Sequence, residues 1–344
     1  MKKLIALILT LATMLTVFAS CSVNNQNSGS GSNNDSGQSG DSGNKENEAT
    51  KIRVGFMSGP TGMGMAKLIN DNGGVEGNDK YSFVSYTDTS LAKADLTKGD
   101  IDVICLPTNE ALAYYNSVDK NTRVLAVNCL NSLYLISDGE HSASSLADLE
   151  GQTIYTCKNG TPRIILNYII KALDLDIEVS YTVNDKDMNT PADVRTQVIA
   201  GALPYAVIPE PIVTASTLKN NTYSIDIDLA DEWAKIPSLA ETPVTMGCVV
   251  ASQEFISKNP GLVKDFLAEY EASVNYIGNS ENLENAAKYV ADAKIMDAAP
   301  AAKKALTNLG EAISYIDGKD MKSALTAFYT ALGMALPADE FYYE

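Results

Sequence analysis

The stretch that most constrains the fold is a strand-like run that passes through a glycine-rich turn directly into a helical pattern. Ile52–Met57 alternates small and apolar residues as a buried strand does, and apolar residues recur at helical spacing from Met65 onward. The turn between them, Ser58–Gly64, contains three glycines, which would let a ligand approach the N–H groups that a helix start leaves unpaired. The turn fits either a ligand site or a tight structural turn. Repeated units of this kind build an α/β sheet.

Two nucleotide-binding motifs are excluded in this turn. Gly59 and Gly64 have the separation of a phosphate-binding loop, but Met65 follows where that loop requires a lysine. A dinucleotide fingerprint fails as well, because Lys67 stands where a third glycine belongs. We therefore predict no nucleotide and no other cofactor.

The N-terminus has the pattern of a bacterial export signal. Two lysines precede the apolar run Leu4–Phe18, which is too short for a comfortable membrane span. The tetrapeptide FASC that ends at Cys21 resembles a lipoprotein processing site. We predict a lipoprotein signal peptide over residues 1–20 and lipidation of Cys21. An ordinary secretory signal followed by an incidental cysteine is the alternative.

Residues 21–51 are predicted to form a flexible tether. After the cysteine they consist mostly of Ser, Gly and Asn, with almost nothing apolar. Such a segment cannot bury enough surface to offset its ordering entropy. A random coil of this length reaches about 30 Å. With a lipid at Cys21, the body of the protein would be held at a membrane and remain free to turn.

Charge and cysteine content narrow the function further. The net charge of −17 suits an extracytoplasmic protein and argues against nucleic-acid binding. The cysteines of the body lie in apolar, strand-like runs without the spacing of a metal site, so we predict no metal. A disulfide is compatible with the compartment, and the sequence does not assign a pairing. These cysteines are Cys105, Cys129, Cys157 and Cys248.

Alternating strand and helix patterns predict an α/β protein with two lobes and a hinge. Tyr81–Tyr86 and Ile101–Leu106 are further strand-like runs separated by helical segments, which indicates a mainly parallel sheet. The body is large for one core. We predict that lobe one comprises residues 52–138 plus 243–344 and that lobe two comprises residues 139–242. The helical C-terminal segment is predicted to pack on lobe one.

Four strand-to-helix turns are candidates for a ligand site. Ligands of open α/β sheets lie beyond the carboxyl ends of the strands, and each predicted lobe contributes two such turns. Thr108 and Thr161 also fit as helix caps, and Asn159 fits as a structural turn residue. Glu210 lies between two prolines, and its carboxylate would attract an amine-like donor. The turns are Ser58–Gly64, Pro107–Asn109, Lys158–Pro162 and Pro209–Pro211, and their candidate side chains are Ser58, Thr61, Thr108, Asn109, Asn159, Thr161 and Glu210.

Three segments, together with the export signal, carry a resemblance to a known family. They read GPTGMGMAKL at Gly59–Leu68, GDIDVICLPTNEAL at Gly99–Leu112 and YAVIPEPIVTAS at Tyr205–Ser216. The chain thereby resembles the nitrate/sulfonate/taurine family of solute-binding lipoproteins of ABC importers, to which thiamine-precursor binders belong. The resemblance implies a type II periplasmic-binding-protein fold, closure of two lobes over one small molecule and delivery of that molecule to a membrane permease.

The resemblance also implies ligand-binding positions, because family members surround the ligand with these turns. The matching residues are Gly62, Met63 and Gly64, then Thr108 and Asn109, then Asn159, Gly160 and Thr161, and finally Glu210. Ligand identity does not carry over. The expected protein is a monomer anchored through the lipid on Cys21 at the extracytoplasmic face of a bacterial membrane, with a small-molecule ligand and an ABC permease as partners.

Two alternatives remain open at this point. An enzyme on the same two-lobe scaffold has little support, because the single histidine, His141, lies in a polar run and common hydrolase motifs are lacking. A surface sensor or adhesion domain would bind a protein without a deep cleft. The aromatic tail Phe341–Tyr343 fits such a surface, although packing of a terminal segment explains it equally well.

Overall fold

The structure, a computed structural model, describes residues 51–344. The predicted signal peptide at 1–20, the lipidation site Cys21 and nearly all of the tether lie outside the described residues. Elements are numbered in chain order. The strands are β1 (Ile52–Met57), β2 (Tyr81–Tyr86), β3 (Val103–Pro107), β4 (Thr122–Leu130), β5 (Leu133–Ser137), β6 (Thr153–Tyr155), β7 (Glu178–Ser180), β8 (Thr182–Val183), β9 (Lys186–Asp187), β10 (Tyr205–Pro209), β11 (Ser224–Asp228), β12 (Thr245–Ser252) and β13 (Ile316–Asp317).

Helices follow most of the strands, and they dominate the last third of the chain. They are α1 (Pro60–Met63), α2 (Ala66–Asp71), α3 (Thr89–Lys98), α4 (Thr108–Ser117), α5 (Thr161–Ala172), α6 (Pro191–Ile199), α7 (Ile212–Thr217), α8 (Leu229–Ala234), α9 (Gln253–Lys258), α10 (Pro260–Gly278), α11 (Leu283–Asp292), α12 (Ala299–Leu309) and α13 (Gly318–Ala331). No helix within residues 51–344 combines the length and apolar character that a membrane crossing requires.

The strands form two larger sheets, as the two-lobe prediction requires. The first sheet has the order β13-β4-β12-β3-β1-β2, and the second sheet has the order β11-β5-β10-β6-β7. In the first sheet β1 pairs in parallel with β2 and β3, whereas β12 runs antiparallel between β3 and β4. The prediction of a mainly parallel sheet is therefore wrong. Both sheets are mixed. In the second sheet β5 runs antiparallel to β10 and β11, and in the first sheet β13 runs antiparallel to β4.

The inner strands of the first sheet are buried on both faces. Ile52, Val54 and Phe56 of β1 are fully buried, and Val103–Leu106 of β3 is equally inaccessible. Continuous apolar runs of this kind are typical of sheets covered by helices on both sides. Because β1 and β3 are buried, the positions of their carboxyl ends are fixed. The turns that follow these ends are therefore held in place as well.

The chain crosses between the sheets at two places. It leaves the first sheet after β4 and enters the second at β5, and it returns at β12. The first crossing falls at Asn131 and Ser132, and β5, which the predicted division gives to lobe one, pairs within the second sheet. We call the first sheet with its helices lobe one and the second sheet with its helices lobe two. The predicted division into residues 52–138 plus 243–344 and residues 139–242 stays a proposal.

The C-terminal helices pack mainly on lobe one. Helix α10 contacts α2, α11 contacts α2 and α12, and α13 contacts the strands β4, β12 and β13. Helix α12 departs from this pattern, because it also contacts α7 of lobe two. The C-terminal segment thus touches both lobes.

Candidate functional site

The glycines of the first turn serve close packing. A Cβ on Gly62 would lie 2.0 Å from the carbonyl oxygen of Met57, and one on Gly64 would lie 2.8 Å from Cγ2 of Val274. Met63 between them is fully buried in the hydrophobic core. These three predicted ligand positions therefore pack against the protein's own strand and helix.

The polar side chains of the same turn differ from one another. Ser58 is exposed, and its hydroxyl lies 3.4 Å from the carbonyl oxygen of Tyr86. Thr61 is 7% exposed, and its hydroxyl has no hydrogen-bond partner among the residues that the structure describes. Ser58 and Thr61 both stay predicted ligand positions.

The second turn, after β3, uses Thr108 for structure. Its hydroxyl donates to the carbonyl oxygen of Thr245 at 2.6 Å, and its own carbonyl oxygen accepts from the Tyr329 hydroxyl at 2.9 Å. The helix cap of α4 is Pro107, so Thr108 is not the cap that its sequence suggested. Thr108 instead ties the end of β3 to the beginning of β12.

Two of the predicted turns meet across the lobes. The Thr161 hydroxyl, at the start of α5 in lobe two, donates to Oδ1 of Asn109 at the start of α4 in lobe one, over 2.9 Å. Thr161 is buried, and Gly160, with φ of 91°, holds the cap position before it. Asn159 and Gly160 are exposed. The structure therefore brings Asn109 and Thr161 together, as the facing-turn prediction requires.

The fourth turn places Glu210 in the protein interior. The side chain is fully buried; its carboxylate accepts hydrogen bonds from N–H and Oγ1 of Thr214, at 3.1 and 2.8 Å, and from Nδ2 of Asn308 at 2.5 Å. Burial raises the pKa of the Glu210 carboxyl, and these hydrogen bonds oppose the rise. The carboxylate thus holds α7 and α12 together, and its predicted role toward an amine-like ligand stays a prediction.

Two asparagines near these turns, the buried Asn128 and the half-buried Asn308, were not singled out from the sequence. Asn128, in the apolar strand β4, donates from Nδ2 to the carbonyl oxygen of Thr61 at 2.9 Å and to the Tyr270 hydroxyl at 2.6 Å. Asn308 of α12 meets Glu210, and its carbonyl oxygen accepts from Tyr134 at 2.8 Å. A lone asparagine within the apolar run VLAVNCL was the one available signal for Asn128.

Cations close to the predicted turns are already engaged. Lys158 pairs with Asp187 at 2.8 Å, and both side chains are about half exposed. Arg163 lies over the ring of Tyr181 at 6.0 Å. The two side chains that join the facing turns, Asn109 and Thr161, are polar and uncharged.

Two cavities lie away from the predicted turns. One, of about 310 Å³, is lined by α2 and α10, and the other, of about 360 Å³, by residues at the end of α10 and on α11 and α12. Neither lining contains a predicted site residue. The facing turns, rather than a large cavity, define the candidate site.

The thiol groups of the described residues are unpaired. Cys105, Cys129, Cys157 and Cys248 are free and buried, which answers the question of a disulfide that the sequence left open. Within residues 51–344, no group of three or more His, Cys, Asp or Glu side chains is placed to hold a metal ion.

The two mixed sheets, the double crossing and the facing turns define the class of fold, which is that of the type II periplasmic binding proteins. Residues 120–281 match a family model described as NMT1/THI5 like. A comparison with curated protein sequences gives no significant match. The resemblance inferred from the sequence is confirmed by the family model and by solved structures of the same fold.

Solved structures similar to this one come from transport proteins. An ABC transporter from Parabacteroides distasonis shares 21% identity, with 86% of this chain and 99% of that chain covered and a TM-score of 0.67. The periplasmic aliphatic sulphonate binding protein SsuA from Escherichia coli shares 18% identity, with 86% of this chain and 92% of that chain covered and a TM-score of 0.63. The periplasmic nitrate-binding protein NrtA from Synechocystis shares 14% identity, with 85% of this chain and 83% of that chain covered and a TM-score of 0.60. At these identities the likeness concerns the fold.

Proposed function

We propose that the protein is an extracytoplasmic substrate-binding lipoprotein of an ABC importer. It captures a small polar metabolite between its two lobes and delivers it to a membrane permease. The observation that carries the proposal is the hydrogen bond between Asn109 and Thr161, because it joins two helix starts that belong to different sheets. The shared fold with periplasmic binding proteins supports the same conclusion.

Closure of the lobes provides the mechanism. A ligand that touches both lobes binds the closed form better than the open form and therefore shifts the equilibrium toward closure. The hinges would lie where the chain crosses between the sheets, at Asn131 and Ser132 and again before β12. The permease would then recognise the closed arrangement of the two lobes.

The polar groups at the facing turns favour a ligand with several hydrogen-bonding atoms. Thr61 and Asn109 offer an unpaired hydroxyl and a partly exposed amide. SsuA and NrtA are named for binding aliphatic sulphonates and nitrate. For this chain we infer only the broader class, a small polar metabolite.

The anchor and the monomeric state are proposed from the sequence. Lipidation at Cys21 would hold the protein on the outer face of the membrane, and the tether would let it reach the permease. The lobe bounds proposed are residues 52–138 plus 243–344 for lobe one and residues 139–242 for lobe two. The glycine-rich turn, the Asn159 turn and Glu210 remain proposed parts of the ligand site.

The enzyme alternative receives less support. His141 has a half-exposed ring whose Nδ1 lies 2.6 Å from Asp138 Oδ1 in the same loop. Among the described residues, no serine or cysteine hydrogen-bonds to that ring, so it lacks the nucleophile of a catalytic triad. A binding protein would return its ligand unaltered, which mass spectrometry of the recovered molecule detects, whereas a converted product would support the enzyme.

The proposal is tested with a ligand panel. Protein freed of carried-over ligand is mixed with pyrimidines, sulfonates, nitrate, taurine and amines, and thermal shift and calorimetry are recorded. We expect one class to bind, because a ligand at about 100 times its Kd stabilises the folded state by about 2.7 kcal/mol. Silence across the panel would contradict the proposed function. The matched control is heat-denatured and refolded protein without ligand, whose melting temperature should equal that of the starting preparation.

A further inference from the structure

The larger of the two cavities lies where two helices of the C-terminal segment end. Its volume of about 360 Å³ is within the range of small-molecule sites. The lining includes Ile277 and Gly278, the last two residues of α10, and Leu306 and Thr307 of the last turn of α12. None of the facing turns contributes to it. The cavity is therefore separate from the candidate site between the lobes.

The charges around this cavity favour a cation. The last carbonyl oxygens of a helix lack partners within the helix and carry a partial negative charge, and the cavity lies at two such ends. Glu311 is the one charged side chain in the lining, and it makes no ion pair within residues 51–344. Lys303, one turn before Thr307, is already paired with Glu284 of α11. No cation of the described chain therefore neutralises Glu311.

A further carbonyl group lies beside the end of α10. A Cβ on Gly278 would lie 2.2 Å from the carbonyl oxygen of Ile313, so only a glycine at this position lets that oxygen approach so closely. The approach brings the carbonyl dipole of a second segment to the end of α10. Negative potential is therefore concentrated at this end of the helix.

The apolar part of the lining suits a hydrocarbon chain. Ile277 and Leu306 are buried, and Leu283 of α11 is half-buried against the same core. An aliphatic chain laid against these side chains would lose its contact with water, which is favourable. An inorganic cation would gain nothing from them. The lining thus combines an apolar wall with uncompensated negative charge.

We propose that this cavity is a second binding site of the protein, for a small aliphatic ammonium ion. The ammonium group would lie toward Glu311 and the helix ends, and the alkyl chain would contact the three apolar side chains. This inference goes beyond the proposed function, because the site lies apart from the facing turns. An occupant would contact α12, the helix whose Lys304 and Asn308 bond to lobe two.

The binding test uses the full chain and four probes at pH 7 in about 0.15 M salt, where exposed charges more than about 8 Å apart are screened. Butylammonium has both the charge and the chain, 1-butanol lacks the charge, butyrate reverses it, and ammonium lacks the chain. Calorimetry measures the affinities. Hydrogen–deuterium exchange read by mass spectrometry locates the contact.

We expect butylammonium to bind with a Kd of about 1 mM, which is reasonable for so small a ligand. It should slow exchange over residues 274–283 and 306–313. The other three probes should bind at least about fivefold more weakly, because each lacks the charge or the apolar contact.

Two variants and a matched control assign the site. Glu311→Gln should weaken butylammonium binding by about 2- to 5-fold, as expected for an exposed ion pair, and leave 1-butanol unchanged. Thr307→Lys adds a like charge to the lining and should weaken it by at least about tenfold. Thr307 is exposed and its hydroxyl bonds within α12, so the variant should melt close to the wild type. Glu150→Gln, the same charge change at an exposed position of lobe two, should leave the affinity unchanged.

The outcomes separate this site from the proposed function. If butylammonium slows exchange only at the facing turns, it binds between the lobes, so the second site is wrong and the proposed function stands. The second site is also wrong if butylammonium does not bind, binds no better than 1-butanol, or binds both lining variants like the wild type. If butylammonium binds at this cavity while the wider ligand panel finds nothing at the facing turns, the second site stands and the proposed function fails.

Discussion

Single residues decide how closely the glycine-rich turn packs on the strand that precedes it. Gly59 and Gly62 are three positions apart, and both look equally suited to a ligand loop in the sequence. A Cβ at Gly62 would collide with a backbone oxygen, whereas a Cβ at Gly59 has no neighbour within 4 Å. The backbone of Gly59 is also extended, with φ of 174°, so any residue can adopt it.

The two glycines therefore give a matched pair of substitutions. Gly62→Ala should lower the free energy of unfolding by about 1–3 kcal/mol, because backbone atoms of β1 must shift to admit the methyl group. Gly59→Ala should leave it unchanged or raise it by about 0.4–1 kcal/mol through the unfolded state. Urea unfolding followed by circular dichroism measures both. Equal midpoints for the two variants would show that the close approach at Gly62 is not needed.

Elements, rather than residues, explain the burial of Glu210. Its carboxylate lies where β10 ends, and it bonds to α7 of lobe two and to α12 of the C-terminal segment. Lys304 of α12 also donates to the hydroxyl of Thr217 on α7, at 2.9 Å. A carboxylate shared between two helices in this way fixes their mutual position. Glu210 therefore acts in the contact between the lobes even where it does not touch a ligand.

The junction of β11 and α8 carries a pH dependence. Asp228 ends the strand and caps the helix, with Oδ1 accepting from the N–H of Ala230 at 2.8 Å. Burial raises the pKa of Asp228 from 3.8 to about 6, the cap hydrogen bond opposes the rise, and the charge of Asp231 adds to it. Because the folded state holds this proton more tightly than the unfolded state, stability is lost as pH rises from about 4 to about 6.

Asp228→Asn should remove this loss, since asparagine caps a helix as well as aspartate does. Relative to the wild type, the variant should gain about 1–2 kcal/mol between pH 4 and pH 7, a figure reduced for the solvated part of the side chain. Urea unfolding at four pH values across this range measures the difference. Asp174→Asn, at an exposed position where positive φ suits asparagine, controls for the lost charge. If the free energy of unfolding changes with pH equally in the wild type and in Asp228→Asn, the pH dependence does not come from Asp228.

At the scale of the whole molecule, the two lobes meet through the bond between Asn109 and Thr161 and through α12. The bond between Asn109 and Thr161 joins turns at the carboxyl ends of the strands, where a ligand between lobes would lie. Contacts that exist only in the closed form shift the open–closed equilibrium toward closure. The hydroxyl of Thr161 is therefore expected to act on the motion of the lobes.

Thr161→Val keeps the shape of the side chain and removes the bond between the lobes. The closed form should lose about 0.5–1.5 kcal/mol, so ligand affinity should fall by about 2- to 10-fold and the radius of gyration without ligand should increase. Calorimetry and small-angle X-ray scattering measure these changes. Thr196→Val is the control, because that hydroxyl bonds within its own helix. A ligand affinity and radius of gyration equal to those of the wild type would show that the bond does not favour closure.

Much of the secondary structure and part of the site were predictable. The bounds of Ile52–Met57 and Tyr81–Tyr86 agree with β1 and β2, because alternation along a strand is a local signal. The facing turns follow from the general rule for α/β sheets, and the structure brings Asn109 and Thr161 of two such turns together. Met63, a predicted ligand position, is fully buried, and a residue in a glycine-rich turn gives no local sign of burial.

The sequence by itself determined the units of this protein: the strand–turn–helix segments, the acidic class of the chain and its resemblance to solute-binding proteins, all of which depend on neighbouring residues. Only the tertiary structure decided that β5 joins the second sheet, that β12 runs antiparallel in the first, and which groups meet. Glu210 and Asn308 lie 98 positions apart, and Asn109 and Thr161 lie 52 apart. The physical reason is that hydrogen-bond partners at such separations are chosen by the packing of whole sheets and helices, which no local pattern records.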